Sequence, residues 1–459
     1  MHKVLDGSDT GTADKVESAE NGVAVPGWAG DVIGLAAMAG VIAWAIEWAK
    51  RLPYEKLYVK WPPLYATYDP VVSAWVLVPC GVAAAGLGLA RYAAQVPWRR
   101  LLAASVLIAF CWILALNVWR TGAGEFGEPF TTQYDYAASL SEFDGPIDTF
   151  ARYHELQPGL AVHARAHPPG ALVIVEGYAA IASVEHAWVW ALVNSAIAAS
   201  IVAAVAIALR ELADETVSRL LLPVLVFAPY ALWMDGALDA VFAAAAAWTA
   251  VLWLRGRSDA GGLAAGAAFG AMLLLSYGLA PFVVVLAALR RDLRSVGFAA
   301  IGAIAVLGIA WLLGFNYLQG VADTRLEYEA GYGGARSNGY WAVGNFAALA
   351  IATGPALVLS LRRAIWAFRS RPALVVFAAW IAVIAMTIAG ITKSEVERIW
   401  LPYMPWLLLC AVAAPANRPA RDSDSERHGL RHTKRYGLVL GGVGAAWALT
   451  VSALAVTGW

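Results

Sequence analysis

Long apolar runs separated by short polar breaks dominate this chain, and the runs predict helices near 30–49, 71–90, 101–118, 169–184, 187–209, 220–233, 239–254, 261–275, 278–289, 296–314, 343–361, 373–391, 400–414 and 437–457. Several are shorter than the roughly 20 residues that a full bilayer crossing takes. The largest interruption is a polar stretch from Thr131 to Gly170, where water can reach the chain. From Gly124 to His167 it carries Glu125, Glu128, Asp135, Glu142, Asp144, Asp148 and Glu155 against only Arg152 and Arg165. That acidic excess favours the side of the membrane away from the cytoplasm.

Composition turns this pattern into a class. With 60% hydrophobic and 14% charged residues and a mean hydropathy of +0.61, the chain is not a soluble domain. It reads as an all-α, polytopic transmembrane helix bundle. Its 459 residues leave room for about eleven to fourteen helices, counting the short ones. Zero net charge argues against a nucleic-acid partner, whose phosphates demand a clustered basic surface. Many of the 21 Trp lie beside span ends, among them Trp98, Trp119, Trp233, Trp400 and Trp459, as an interfacial belt requires. Cys80, Cys111 and Cys410 lie within apolar runs and read as small core residues.

Basic residues set the orientation. Arg290, Arg291 and Arg294, then Arg362, Arg363, Arg369 and Arg371, then the stretch from Arg421 to Arg435, mark cytoplasmic loops. Alternation then places 119–167, 315–342 and 392–399 together on the outer face and makes the protein a multi-pass plasma-membrane protein. The organisation expected is a disordered cytoplasmic tail at 1–25, two N-terminal helices within 26–100, a module at 101–415 that includes the outer loop 119–167, a basic cytoplasmic loop at 416–435 and a last helix at 436–459. Two places resist this scheme. Residues 168–209 should cross once yet read as two helices, and Lys50, Arg51, Lys56 and Lys60 argue against an outer position for 50–70.

Asp135 sits between Tyr134 and Tyr136, well beyond the end of the span at 101–118 but able to lie just above the membrane, where partial desolvation suits a general base that takes a proton from a hydroxyl. Glu128 and Glu125 are the reserves. His163 and His167 have the i, i+4 spacing of a helical metal pair, but Pro168 pushes the residue before it out of the helical region. Pro168 and Pro169 better start a helix, with Arg165 and His167 at its entrance and its amides open to an anion such as phosphate. No metal is called for, although the acidic loop does not rule out a divalent ion. The turn at 392–402 packs Lys393, Glu395, Glu397 and Arg398 between two apolar runs. Snorkelling groups explain part of this. A lipid-phosphate clamp explains all of it, with Arg398 as the forked donor and Glu395 or Glu397 orienting it. Asp235 and Asp239 flank another turn on the same face, Ser276-Tyr277-Gly278 breaks an apolar run, and Arg325, Tyr328, Arg336 and Tyr340 line the remaining outer loop as candidate sugar or phosphate contacts.

In order, these features are an early acid in a long outer loop, a His-Pro-Pro helix start, an Asp heading a later span, a polar break in Gly-rich sequence, and a charged turn ending in Arg before a Pro-containing span. The order resembles the glycosyltransferase C superfamily, in particular protein O-mannosyltransferases and aminoarabinose transferases. It is closer still to multi-spanning actinobacterial proteins with a Lys-x-Glu-Val-Glu-Arg-Ile-Trp-Leu-Pro turn. The resemblance covers about residues 100 to 415. It implies inverting transfer of a sugar from a polyprenyl-phosphate donor to an extracytoplasmic acceptor in the cell envelope, with Asp135 as base. It implies no cofactor, and membrane lipids and the lipid-linked donor as partners. Two features depart from it: two extra helices before the loop, and Tyr-Asp-Tyr where relatives carry paired acids. The rival class is a transporter or flippase, against which stand few charges within the helices and no inverted repeat.

Overall fold

The computed structural model describes residues 27–122, 126–412 and 423–457. The expected tail at 1–25 and the reserve base Glu125 lie outside the described residues. Helix α1 (Gly27–Ala49) leads to a loop carrying strand β1 (Ala66–Tyr68), and α2 (Leu77–Ala90) and α3 (Trp98–Thr121) follow. The polar loop is folded rather than extended, with α4 (Pro146–Leu156) and α5 (Val162–Ala166) inside it and α6 (Pro169–Ile181) at its end. The middle of the chain forms α7 (Ala187–Leu212), α8 (Glu215–Val226), α9 (Asp239–Arg255), α10 (Asp259–Leu273) and α11 (Val283–Leu289). Next come α12 (Leu293–Leu312), the loop helices α13 (Tyr317–Ala330) and α14 (Tyr332–Ala335), then α15 (Asn338–Thr353), α16 (Ala356–Trp366) and α17 (Arg371–Ile388). Beyond the charged turn stand α18 (Val396–Ile399), α19 (Met404–Leu407) and α20 (Ser423–Leu454), closed by strand β2 (Ala455–Thr457).

Six described helices are long and apolar enough to cross a membrane: Trp28–Ala49, Trp98–Arg120, Val184–Leu212, Leu293–Leu312, Arg371–Ile388 and Arg435–Leu454. The pair α15 and α16 makes a seventh if it is counted as one span, although it is bent by 101°. The protein is therefore a helical membrane protein, with fewer full-length spans than the eleven to fourteen helices expected. The other apolar runs fall on shorter helices because polar or proline breaks divide them: Pro223 inside α8, Ser276–Gly278 before α11, and Gly354-Pro355 at the α15–α16 bend. The run at 400–414 is no outer-shell span, since every residue from Trp400 to Val412 is buried in the molecule. The last helix begins at Ser423 rather than near 436, so part of the expected basic loop is helical; no proline follows Pro419 to stop it.

The two ends of the bundle differ. At one end arginines donate to carbonyls where helices stop, Arg290 to Gly256 at 2.7 Å and Arg371 to Glu211 and Leu289 at 3.2 Å each, and Arg219 donates to Val96 in the loop before α3 at 2.8 Å. Arg290 and Arg371 satisfy carbonyls that a helix C-terminus leaves open. At the other end the polar loops gather. β1 pairs antiparallel with β2, with Ala66 opposite Thr457, and the Ser337 amide donates to the Lys56 carbonyl at 2.9 Å. Loop 50–70 therefore lies at the same end of the bundle as the other polar loops, held there by its pairing with β2 and its bond to Ser337.

The other topological conflict also resolves. α6 has 13 residues, about 20 Å at the helical rise of 1.5 Å per residue and less than a hydrocarbon core of about 30 Å. A Cβ on Gly170, in its first turn, would overlap the Leu274 carbonyl after α10. At its far end the Ala182 carbonyl accepts from the Trp190 indole at 2.9 Å, and Tyr178 meets Asn194 at 3.2 Å. Asn194 in turn donates to Met234 and Ala237, beside the start of α9. Both ends of α6 lie at the loop-bearing end, so 168–209 passes through the bundle once, by α7.

Candidate functional site

The site is built where the polar loop meets the heads of the most buried segments. Asp135, buried and extended (φ −89°, ψ 170°), caps a helical turn by accepting the Tyr136 amide on Oδ1 at 2.8 Å. Its Oδ2 lies 2.9 Å from Nδ1 of His163. The pair is clipped in place by the backbone, because the His163 amide donates to the Tyr134 carbonyl at 3.0 Å. Behind α5, the fully buried Tyr153 hydroxyl sits between the carbonyls of Ala164, at 3.0 Å, and His167. Gln157 donates to the Arg165 carbonyl at 2.8 Å. Short helices of this kind have little intrinsic stability, so these buried polar ties hold α5.

His167 adopts extended backbone (φ −127°, ψ 155°), as the following proline demands. Its Nδ1–H donates to the His163 carbonyl at 3.0 Å, so the two imidazoles do not face a common point. Its ring lies 5.7 Å from Tyr136 and 5.5 Å from Phe242. Burial under these rings pushes its basicity down to about 4. That environment disfavours a cationic imidazole at this position. Among the described residues, no group of three or more His, Cys, Asp or Glu is arranged to hold a metal ion.

The charged turn supplies the other half. Arg398 Nη1 donates to Asp239 Oδ2 at 2.6 Å, and Nη2 donates to Glu395 Oε2 at 2.7 Å. Arg336 Nη2 reaches the other Glu395 oxygen at 3.0 Å. Asp239 heads α9, where the open amides of a helix start favour an acid. Burial by itself would raise the Glu395 carboxyl, but Arg398 and Arg336 outweigh it and bring it down to about 2. Burial likewise opposes charge on Arg398, and Asp239 and Glu395 overcome it. The network joins two guanidiniums, Arg398 and Arg336, to two carboxyls, Asp239 and Glu395.

Glu397 does not share that role. It is fully buried and accepts the Tyr65 amide at 2.6 Å, and burial raises its carboxyl to about 7. Of the two acids proposed to orient Arg398, Glu395 does so and Glu397 anchors loop 50–70. The turn itself is strained, with Ser394 at φ 76° and Glu395 at φ 61°, each costing on the order of 1–3 kcal/mol. Asn345 holds it, donating to the Thr392 carbonyl at 2.8 Å and accepting the Ser394 amide at 3.1 Å.

The two halves adjoin. The buried Tyr136 ring lies 6.0 Å from His163 and 5.7 Å from His167, and the His167 ring lies 5.5 Å from Phe242, one turn after Asp239 on α9. Beside them an open groove of about 420 Å³ is lined by Gln133, Tyr134, Ser139, Glu142, Val162 and Arg165, among others.

Other expected contacts lie apart. Lys393 Nζ donates to the Gly333 carbonyl at 2.8 Å and so ties two loops together. Arg165 faces Glu327 at 3.7 Å, and exposed Arg325 pairs with Glu329 along α13. Tyr340 is wholly buried against Trp48 and Trp341, a packing residue rather than a substrate contact. Tyr277 packs on Tyr317 at 5.4 Å, and half-buried Tyr328 packs over Gly333. Glu128 is exposed at the start of a separate turn. Sequence reasoning weighed His163 only as half of a metal pair, and its link to Asp135 spans 28 positions, which no local periodicity reveals. No protein-family model matches the chain, and no curated protein matches it.

Proposed function

We propose that this is a membrane glycosyltransferase that moves a sugar from a polyprenyl-phosphate donor to an acceptor on the extracytoplasmic face of the plasma membrane, with inversion. One observation carries the reading: a part-buried carboxylate–imidazole pair and a buried, preorganised guanidinium lie at the same loop-bearing end of a membrane helix bundle. Such a transfer needs a base for the acceptor and a cation for the departing phosphate. Asp135 supplies the negative charge of the base. Arg398, seconded by Arg336, meets the lipid phosphate, and Asp239 and Glu395 hold the fork in place before the donor arrives. Charge stabilisation in a water-poor site is the main source of rate in such a scheme. The exposed ring of Tyr134 and the groove beside it take the acceptor.

Mass spectrometry of lipid co-purifying in mild detergent tests the donor. A polyprenyl phosphate, depleted in Arg398→Ala, supports the reading; no such lipid, together with uptake of a polar solute into vesicles, supports a transporter instead. Asp135→Asn is expected to abolish transfer while the protein remains folded, and near-normal turnover in that variant would remove Asp135 from the mechanism.

A further inference from the structure

We infer that the groove beside Tyr134 holds a non-reacting unit of a neutral glycan, so that the acceptor is a chain of two or more sugars rather than a single one; the inference rests on the transfer reading above. The groove's volume of about 420 Å³ falls within the roughly 300–1,000 Å³ of small-molecule sites. Tyr134 brings to it an exposed ring, against which the apolar C–H face of a sugar can pack. Gln133, Glu142 and Arg165 share the lining. Each of these three ends in a planar group with neighbouring hydrogen-bonding atoms, the match for adjacent hydroxyls on a sugar.

The lining also argues against other ligands. One acid, Glu142, and one base, Arg165, line it, so neither an anionic nor a cationic sugar is selected. Arg165 lies 3.7 Å from Glu327, too far for a hydrogen bond, so that acid does not take up its donors. Beyond alanines, the aliphatic lining is Leu160, which is buried, and Val162. That is too little apolar surface to hold an acyl chain.

The groove is preformed. Its two walls, residues 133–142 and 159–165, are tied across by the His163 amide, which donates to the Tyr134 carbonyl at 3.0 Å, and by the Ala161 amide, which donates to Ser139 Oγ at 2.8 Å. A ligand therefore binds without first ordering the loop, which lowers the cost of association. The same wall decides which sugar unit lies here. Asp135 follows Tyr134 in the chain, but its side chain is only 6% exposed and turns to the Tyr136 amide and the His163 ring. It is not part of the lining. A ring packed on Tyr134 is thus not the one whose hydroxyl reacts, and the reacting unit is its neighbour in the glycan.

The first test needs no donor: saturation-transfer NMR on the full-length protein in lipid nanodiscs, titrated with neutral mono-, di- and trisaccharides of hexoses and pentoses. The longer sugars should bind, Tyr134→Ala should weaken that binding by about tenfold, the effect of losing about 1.4 kcal/mol of contact, and Tyr134→Phe should retain it. No saturation of any sugar in the panel, or equal binding by wild type and Tyr134→Ala, overturns the inference. The second test adds farnesyl-phosphoryl hexoses and pentoses as donors. Di- and trisaccharides should then be better acceptors than monosaccharides, and Tyr134→Ala should raise KM for the longer acceptors with kcat near that of the wild type. Monosaccharides serving as well as trisaccharides overturns the inference and leaves the transfer reading standing. Sugar binding through Tyr134 without turnover of any donor overturns the transfer reading, and with it the acceptor role given to the groove.

Discussion

At the scale of single residues, the site is a set of charges removed from water that are tolerable only together. Arg398→Met leaves Asp239 and Glu395 buried with too little compensation, and should cost about 3–5 kcal/mol of stability. Adding Asp239→Asn and Glu395→Gln should recover much of it, as read by unfolding in detergent; strictly additive losses would show that the network is not coupled. Neighbouring acids in the turn should respond to pH with opposite signs. Glu395 is held near 2, below its ordinary 4.5, so its contribution is present above pH 4.5 and is lost as pH falls from there towards 2. Glu397 is raised to about 7, so the unfolded chain ionises first and stability declines as pH rises from about 4.5 to 7. Glu397→Gln should remove that decline, its advantage over the wild type growing across this window and levelling above it. An advantage independent of pH would contradict the assignment.

Between elements, the bundle depends on two devices. α12 is the most lipid-facing of the middle helices, with Ile301, Ile304 and Trp311 exposed. It is held by close backbone approach to α10: a Cβ at Gly266 would overlap the Ala299 carbonyl, and one at Gly302 the Leu263 carbonyl. In a membrane, packing of small residues replaces the hydrophobic drive that water would supply. Gly266→Val should therefore lower the thermal midpoint, whereas Gly297→Val, where a Cβ meets nothing within 4 Å, should leave it unchanged. Equal effects would show that helix propensity and not packing is at stake. The second device is the 101° bend between α15 and α16, where Gly354 takes φ +67° with Pro229 beside it. A side chain there is strained whatever space is available.

The whole molecule has a stitched end and a looped end, and the site belongs to the looped one. Single cysteines introduced at exposed Tyr134 and Arg325 in a cysteine-free background should react with an impermeant reagent from the same side of intact cells. One at exposed Arg291 should react only after permeabilisation. Labelling of all three from one side would overturn the topology. Loop 50–70 matters to the same picture, since Glu397 holds it against the turn that presents Arg398, tying the connection between α1 and α2 to the site.

The sequence by itself determined the helical membrane class, the positions of the polar loops, and most of the residues now in the site, including Asp135, Asp239, Glu395 and Arg398. These follow from local rules: apolar run length, charge at span ends, and the conformational restriction before Pro168, which placed His167 outside the helix. Only the tertiary structure decided which of those residues meet. The Asp135–His163 and Asp239–Arg398 pairs join positions 28 and 159 residues apart, and such pairing depends on how the helices pack, which no local pattern encodes. Packing also decided that Glu397 anchors a loop, that Tyr340 belongs to the core, that His167 is buried among aromatic rings and that α6 does not cross. Hydropathy registers how apolar a segment is, but not whether lipid or protein will cover it. That is why the run after Arg398 resembles a span and is instead the buried centre of the molecule.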